Sequence, residues 1–477
     1  MVGLFGAVDI GASSGRVIAG MFEDGYLRQT EIHRFDNGPV EKPSGLFWDF
    51  ENLFSEVVIG LEKLADFARE RETQIESIGI DTWAVDFGVI REGKLLREPH
   101  CYRDPRNSIG VEAAEKVLSP EEMYEFNGLQ FLPFNTVYQI LKIEQTDEFK
   151  LGPSDQLLLI PDLIGYLLTG ELATERTNAS STGLLNPRNQ EFSVELMQTL
   201  GLRQDLFPQL RSAGSILGKV KGEASEALAG VDVVLVGSHD TASSVVGVPA
   251  TEHNFAFISS GTWSLLGAEI PKAIVSEQSR AENFTNELGV DNRIRFLKNL
   301  SGLWLLSESL RHWSSKGEVV SLPSVLEEAA EISPSVLFDV TDASLIEPGD
   351  MPSRIQRLLA SEGLEKTLSK AEIVATILHS LATSYSSAFE NLKKLTGTQY
   401  ETIYFTGGGS QNRLLTQLTA DYCGVDVVAG PVEATAIGNL LVQIRSATDE
   451  FESLEDIRGI VRASFTTEKY QPRQRVQ

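Results

Sequence analysis

The segment Val8–Ser14, VDIGASS, returns in form as Ile258–Ser264, ISSGTWS, about half a chain later. Each copy is an apolar strand, a glycine, then small hydroxyl residues that enter a second strand. A unit repeated at that spacing points to two related halves, and the boundary is placed near residue 245. Around both copies, strands and amphipathic helices alternate, which predicts an α/β architecture. The first half opens with a strand over residues 4–10, a turn at Gly11–Gly15, a strand Arg16–Phe22 and a hairpin turn at Asp24-Gly25. Asp49 can cap a helix that carries Leu53, Phe54, Val57, Leu61, Leu64 and Ala68 on one face. Ser77–Ile90 reads as one strand that turns at Glu92-Gly93. In the second half, Ser369 and Glu372 form a capping box, an apolar stripe follows from Val374 to Leu395, and Gly397 stops the helix. A strand Thr402–Phe405, a helix from about Gln411 to Tyr422 and a strand Val425–Ala429 complete the pattern.

Length and charge narrow the function classes. With 477 residues, 42% of them hydrophobic, the chain can bury the cores of two large domains. Its net charge of −26 repels phosphate backbones and anionic membranes, so neither nucleic acid nor membrane is an expected partner. Two distant cysteines, Cys101 and Cys423, make no disulfide framework and read as small buried hydrophobes in a reducing cytoplasm. The N-terminal MVGLFGAVDIGASSG reads as a strand and turn rather than a signal peptide. No apolar stretch is long enough to span a bilayer. Walker A, dinucleotide, HExxH, CxxC and protein-kinase motifs are all missing, and GSILGKV at 214–220 has the wrong glycine spacing.

Four loops remain that can carry chemistry. In Asp9–Arg16, small residues expose backbone N–H groups, Ser13 and Ser14 add hydroxyl donors, and Arg16 adds charge. Asp9 there is either a Mg²⁺ ligand acting through water or a structural carboxylate. Ser259–Ser264 offers the same donors from the other half. Gly407-Gly408-Gly409 sits between a strand and a helix, where it can let a flat base or ribose approach the backbone, or serve only as a flexible turn. After the strand Val231–Gly237 comes Ser238-His239-Asp240-Thr241. Asp240 is placed either to take a hydroxyl proton during phosphoryl transfer or to cap a helix. His239 can face a sugar hydroxyl or the core. The polar–aromatic segments Asp81–Asp86, Tyr102–Asp104, Asn135–Gln139 and Thr177–Ser180 have the composition of a sugar pocket.

Together these motifs resemble the FGGY carbohydrate kinases. The resemblance runs from AVDIGASSGR to AGPVEATAIGN and includes EIHRFDNG, IGIDTWAVDFG, YRD, LQFLPFNTVYQ, IPDLIGYLLTG, SHDTAS, SSGTWSLLG, LKNLSGLWLL and GGGSQNRLL in order. It implies two actin-like, ribonuclease H-like ATPase domains with a nucleotide cleft between them. Residues 1–245 would bind sugar and supply the base, and 246–477 would bind nucleotide. It implies ATP contacts at Ala12, Ser13, Ser14, Gly15, Arg16 and Thr262, and an adenosine site at Gly407, Gly408 and Gly409. Ala84, His239, Asp240, Thr241 and Asn299 would lie at the sugar, with Asp240 the catalytic base and Mg²⁺ near Asp9. The implied reaction is ATP plus L-rhamnulose giving ADP and L-rhamnulose 1-phosphate, with L-fuculose or a pentulose as alternative substrates. An actin- or Hsp70-like ATPase scaffold is the reading from another class, and monomer and homodimer both remain open. Two positions depart from the family pattern. Ala84 stands where glycine is frequent, and Ser307 stands where a longer glutamine is frequent near the nucleotide.

Overall fold

The chain is described by a computed structural model over residues 3–146, 149–250, 252–448 and 451–473. Its first large sheet has the strand order Ile216–Lys219, Asp232–Val234, Ile75–Thr82, Gly3–Ile10, Ser14–Glu23, Tyr26–Asp36. The second has the order Thr285–Leu288, Ile294–Ser301, Trp263–Ile270, Ala256–Ser260, Thr402–Thr406, Asp426–Ala429, Glu468–Tyr470. The echo in the sequence is an echo in topology. Gly3–Ile10 pairs antiparallel with Ser14–Glu23 and parallel with Ile75–Thr82. Ala256–Ser260 pairs antiparallel with Trp263–Ile270 and parallel with Thr402–Thr406. Each sheet continues from there through one parallel strand to an antiparallel edge strand, Ile216–Lys219 in one and Glu468–Tyr470 in the other.

The helices form where capping and periodicity place them. Asp49 accepts the Asn52 N–H and starts Phe50–Glu70, whose Leu53, Val57, Leu61 and Leu64 are buried. The Ser369–Glu372 capping box opens Lys370–Thr396, and Gly397 ends it at φ 66°, a left-handed conformation that glycine adopts without steric cost. Both cysteines are buried and unpaired, and burial pushes each thiol up to about 12. No helix among the described residues is long and apolar enough to cross a membrane.

The expected single strand Ser77–Ile90 is corrected. It is two strands in different sheets, Ile75–Thr82 and Phe87–Arg91. The break falls at Val85, which has φ 71°. That conformation is costly for a β-branched residue, and two remote contacts and one local turn bond hold it. Ser181 Oγ accepts the Val85 N–H at 3.3 Å, Thr136 Oγ1 donates to the Val85 carbonyl at 2.6 Å, and Asp86 N–H bonds the Ala84 carbonyl at 3.0 Å. Alternating apolar residues look the same in one long strand and in two short ones, so the break left no trace in periodicity.

The chain forms two compact units, and neither is one continuous stretch. One is Met1–Thr251 with Glu269–Phe296 and Ala434–Phe465, and the other is Glu252–Ala268 with Leu297–Glu433 and Thr466–Gln477. In the first unit, the helix Ala434–Ala447 buries Ile437, Leu440, Leu441 and Ile444 against Phe5, Ala7, Ile18 and Val246. Each such side chain contributes about 1.5–3 kcal/mol. Polar groups fix its depth. Gln443 Nε2 donates to the Gly6 carbonyl at 2.9 Å, and Ser77 Oγ donates to Gln443 Oε1 at 2.8 Å. The helix also crosses Asp240–Val246 at glycines. A Cβ on Gly438 would fall on the Ser243 carbonyl oxygen, and one on Gly247 on the Ala434 carbonyl oxygen. The clash is with backbone, which cannot swing aside, so Gly438→Ala is expected to cost about 1–3 kcal/mol. A lowered urea midpoint at unchanged m-value checks this, and an unchanged midpoint contradicts the close approach.

Candidate active site

In the first unit, the strand ends gather acidic side chains. Asp9 and Asp81 are register partners on the parallel strands Gly3–Ile10 and Ile75–Thr82. The Thr82 N–H donates to the Ser238 carbonyl at 2.9 Å, and Thr82 pairs with His239 in an isolated parallel bridge. This brings Asp240 to the same end. Asp81 is fully buried, and Asn439 Nδ2 donates to its Oδ2 at 2.6 Å, while its Oδ1 has no partner. Burial, followed by the charges of Asp9 and Asp240, pushes the Asp81 carboxyl well above the usual carboxylate range. Asp9 is engaged by Arg16, whose Nη2 lies 2.6 Å from Asp9 Oδ2. Arg16, expected at a phosphate, is therefore held by a carboxylate of the same loop.

Asp240 is the first residue of Asp240–Val246, and His239 is the N-cap without a capping side chain. Asp240 Oδ1 accepts the Thr241 N–H at 2.5 Å and the Thr241 hydroxyl at 3.0 Å. The Asp240 side chain keeps 35% of its surface exposed, unlike Asp9 and Asp81, so it can reach a ligand. Glu175 anchors the loop in front of it. Its Oε2 accepts from Ser238 N–H and Oγ, Thr177 N–H and Oγ1, and Asn178 N–H. Burial raises the Glu175 carboxyl despite these donors.

The polar–aromatic segments meet, and much of their polarity is spent on each other. Asp86 Oδ2 accepts from Trp48 Nε1 at 2.6 Å, Trp83 Nε1 at 3.0 Å and the Tyr102 N–H at 3.0 Å. Gln139 Nε2 donates to Asp86 Oδ1 at 2.9 Å. Burial outweighs these donors and pushes Asp86 up to about 6. Trp48 and Trp83 have ring centroids 4.2 Å apart, and Trp83 is 6% exposed, so the indoles belong to the core. Half-buried Tyr102 and Ala84 remain as accessible apolar surface of these segments, joined by half-buried Phe134, which precedes Asn135 and lies 5.2 Å from Tyr102.

The second unit holds the other loops. Gly261, Thr262 and Trp263 are exposed at the turn between Ala256–Ser260 and Trp263–Ile270. Beneath it, Ser260 Oγ, Ser264 Oγ and Tyr385 OH form a buried chain of 3.0 and 2.7 Å hydrogen bonds. Asn299 is half-buried on Ile294–Ser301, and Ser307 is exposed on the helix Trp304–Ser315. The glycines after Thr402–Thr406 divide by role. A Cβ on Gly407 would meet the Ser260 carbonyl oxygen at 2.6 Å, and one on Gly409 would strike the Ser260 side chain, whereas Gly408 faces open space. Two of the three glycines thus answer to Ser260, and only Gly408 has room for a ligand.

Some site residues left no motif in the sequence. Glu175, Glu287 and Arg295 are buried polar residues outside the quoted motifs, and Asn439 closes the motif AGPVEATAIGN without a role assigned to it there; each is recognised by the partners it meets. A charged residue between apolar strand residues, as Arg295 is between Ile294 and Phe296, was the one available signal.

Comparisons with known proteins identify the family and the fold. The sequence profile of the FGGY family of carbohydrate kinases, N-terminal domain, matches residues 4–247, and that of the C-terminal domain matches residues 256–447. A protein named rhamnulokinase from Enterococcus faecalis is 40% identical over 471 residues, covering 98% of this chain and 93% of its own. A rhamnulokinase from Bacillus subtilis is 37% identical, covering 98% and 96%. Among solved structures, a gluconate kinase from Lactobacillus acidophilus aligns at TM-score 0.80 with 17% identity, covering 99% of this chain and 94% of that one. Plasmodium falciparum glycerol kinase with ADP aligns at 0.78 with 15% identity, covering 99% and 94%. These likenesses give the chain the two-domain actin-like, ribonuclease H-like fold expected from its motifs.

Three variants probe the site. The raised Asp81 carboxyl adds stability below the ordinary carboxylate pKa, and that contribution is lost as pH rises through the folded value. Asn cannot titrate and keeps an acceptor for Asn439. Asp81→Asn is therefore expected to unfold at higher temperature than the parent at pH 8, with the gap closing towards pH 4, as read by calorimetry. Gly409→Ala is expected to lower the melting temperature. Gly408→Ala is expected to keep it and raise the KM for ATP, which steady-state kinetics measures.

Proposed function

This chain belongs to the FGGY family of carbohydrate kinases, and we propose that within it the chain transfers the γ-phosphate of ATP to the C1 hydroxyl of L-rhamnulose, giving L-rhamnulose 1-phosphate and ADP. The observation that carries the chemistry is Asp240, a partly exposed carboxylate at the start of the helix Asp240–Val246; its charge, with that of Asp9, is felt at buried Asp81. The substrate rests on relatives named rhamnulokinase that match nearly the whole chain. In this reading Asp240 accepts the C1 hydroxyl proton as the new P–O bond forms. His239, Thr241, Ala84 and Asn299 contact the sugar. Ala12–Arg16 and Thr262 take the phosphates, Gly407–Gly409 the adenosine, and Ser307 makes a shorter contact than glutamine would. The division near residue 245 belongs to the same proposal, with sugar binding assigned to 1–245 and nucleotide binding to 246–477.

Mg²⁺ fits the residues present. The unpartnered, buried Asp81 Oδ1 lies among like charges, the setting in which a hard cation relieves repulsion. Among the described residues, no group of three side chains is arranged to ligate a metal, which favours contact through water and phosphate oxygens. Asp9 and Asp81 would hold the ion, which when bound neutralises charge on the β- and γ-phosphates. The enzyme would work in the cytoplasm as a monomer or homodimer.

Ala84 favours a second substrate reading, L-fuculose or a pentulose, because its methyl adds bulk where glycine is frequent in the family. Coupled ADP release over L-rhamnulose, L-fuculose, L-xylulose, D-xylulose and L-ribulose separates the two. The highest kcat/KM is expected for L-rhamnulose, and stimulation by none of them would return the ATPase-scaffold reading. Asp240→Asn is expected to cut kcat by orders of magnitude with sugar affinity nearly unchanged. Near-normal turnover in that variant would remove Asp240 as the base.

A further inference from the structure

His239 is held from behind by an ion pair that the sugar-kinase reading does not use. Its Nδ1 lies 3.0 Å from Arg295 Nη2 and 3.3 Å from Glu287 Oε2. Arg295 Nη2 is also 3.1 Å from Glu287 Oε2, and Arg295 Nε donates to the Leu288 carbonyl at 3.0 Å. On its other side, His239 Nε2 is 3.4 Å from Asp240 Oδ1. His239, Glu287 and Arg295 are all buried, and all belong to the first unit.

A guanidinium has hydrogens to donate and no lone pair to offer. Nη2 carries two of them, one for Glu287 Oε2 and one for His239 Nδ1. For the second bond to exist, Nδ1 must present its lone pair, and the imidazole proton must then sit on Nε2. The opposite tautomer would set an N–H of His239 against an N–H of Arg295 and leave it only the longer 3.3 Å approach to Glu287 Oε2, an oxygen that Arg295 already engages at 3.1 Å. Burial alone would raise Glu287, but the charge and hydrogen bond of Arg295 beside it act the other way, so it stays an anion that keeps Arg295 in place.

We propose that Arg295, anchored by Glu287, fixes His239 as the Nε2–H tautomer and so makes it a hydrogen-bond donor on the side of Asp240, aimed at an oxygen of the sugar. Arg295 and Glu287 are positioning residues and His239 is the group that meets the substrate. In this state His239 has no lone pair on that side and cannot take a hydroxyl proton, which leaves Asp240 as the sole base there. The role at the sugar rests on the kinase reading; the tautomer does not.

The test has two arms. In the first, the intact protein is labelled with ¹⁵N-histidine and its imidazole nitrogens are recorded by NMR at pH 8, with His239 assigned by comparison with His239→Gln. Unprotonated Nδ1 with protonated Nε2 is expected; an Nδ1–H imidazole or an imidazolium overturns the proposal. In the second, Arg295→Met is expected to raise the KM for the ketose about tenfold, the loss of one well-placed donor, with the KM for ATP unchanged. Arg295→Lys, which keeps a donor, is expected to recover part of it. A fall in kcat alone, or equal rises for both substrates, overturns the sugar-facing role. If Arg295→Met does not fold, the spectrum of the parent still decides. If no ketose is phosphorylated, the kinase reading fails while the tautomer is judged separately by the spectrum.

Discussion

Most of the first unit is arranged around the problem of keeping carboxylates close together in a dry place. Asp9, Asp81 and Asp240 repel one another, and each is managed differently. Arg16 neutralises Asp9, Asn439 gives Asp81 one donor, and Asp240 keeps a share of solvent. Glu175 and Asp86 extend the pattern outward, each tying loops together through several donors to one carboxyl group. Buried acids of this kind cost stability and gain value only where negative charge must be exact in place.

Much of the fold was readable in the residues. The repeated strand–glycine–hydroxyl unit correctly announced two sheets with the same core connectivity, and the caps at Asp49 and Ser369 marked their helices to within a residue. The break at Val85 was not readable. A left-handed residue inside an apolar run is held by Ser181 and Thr136, both about 50 or more positions away in sequence. The site divides along the same line. Its loops carry glycine and hydroxyl signatures, while the side chains that orient them, Glu175, Glu287 and Arg295, are marked by the partners they meet and not by their neighbours in sequence.

The glycine-rich loop shows how one sequence signal can have two physical sources. Gly407 and Gly409 are small because Ser260 comes close, and Ser260 is fixed in turn by Ser264 and Tyr385. The loop is thus preshaped by the chain itself, which lowers the ordering cost of any ligand that meets it.

The discontinuity of the first unit has a consequence for how the chain comes off the ribosome. Asn439 meets Asp81 across 358 positions, and Gln443 meets Gly6 across 437. Until the helix Ala434–Ala447 has emerged, the amino-terminal sheet lacks a wall of its core and the partner of its most deeply buried acid. Synthesis proceeds at about 5–20 residues per second, so a nearly complete chain waits tens of seconds with that face uncovered. The amino-terminal half of this protein is therefore the first to be made and among the last to be finished.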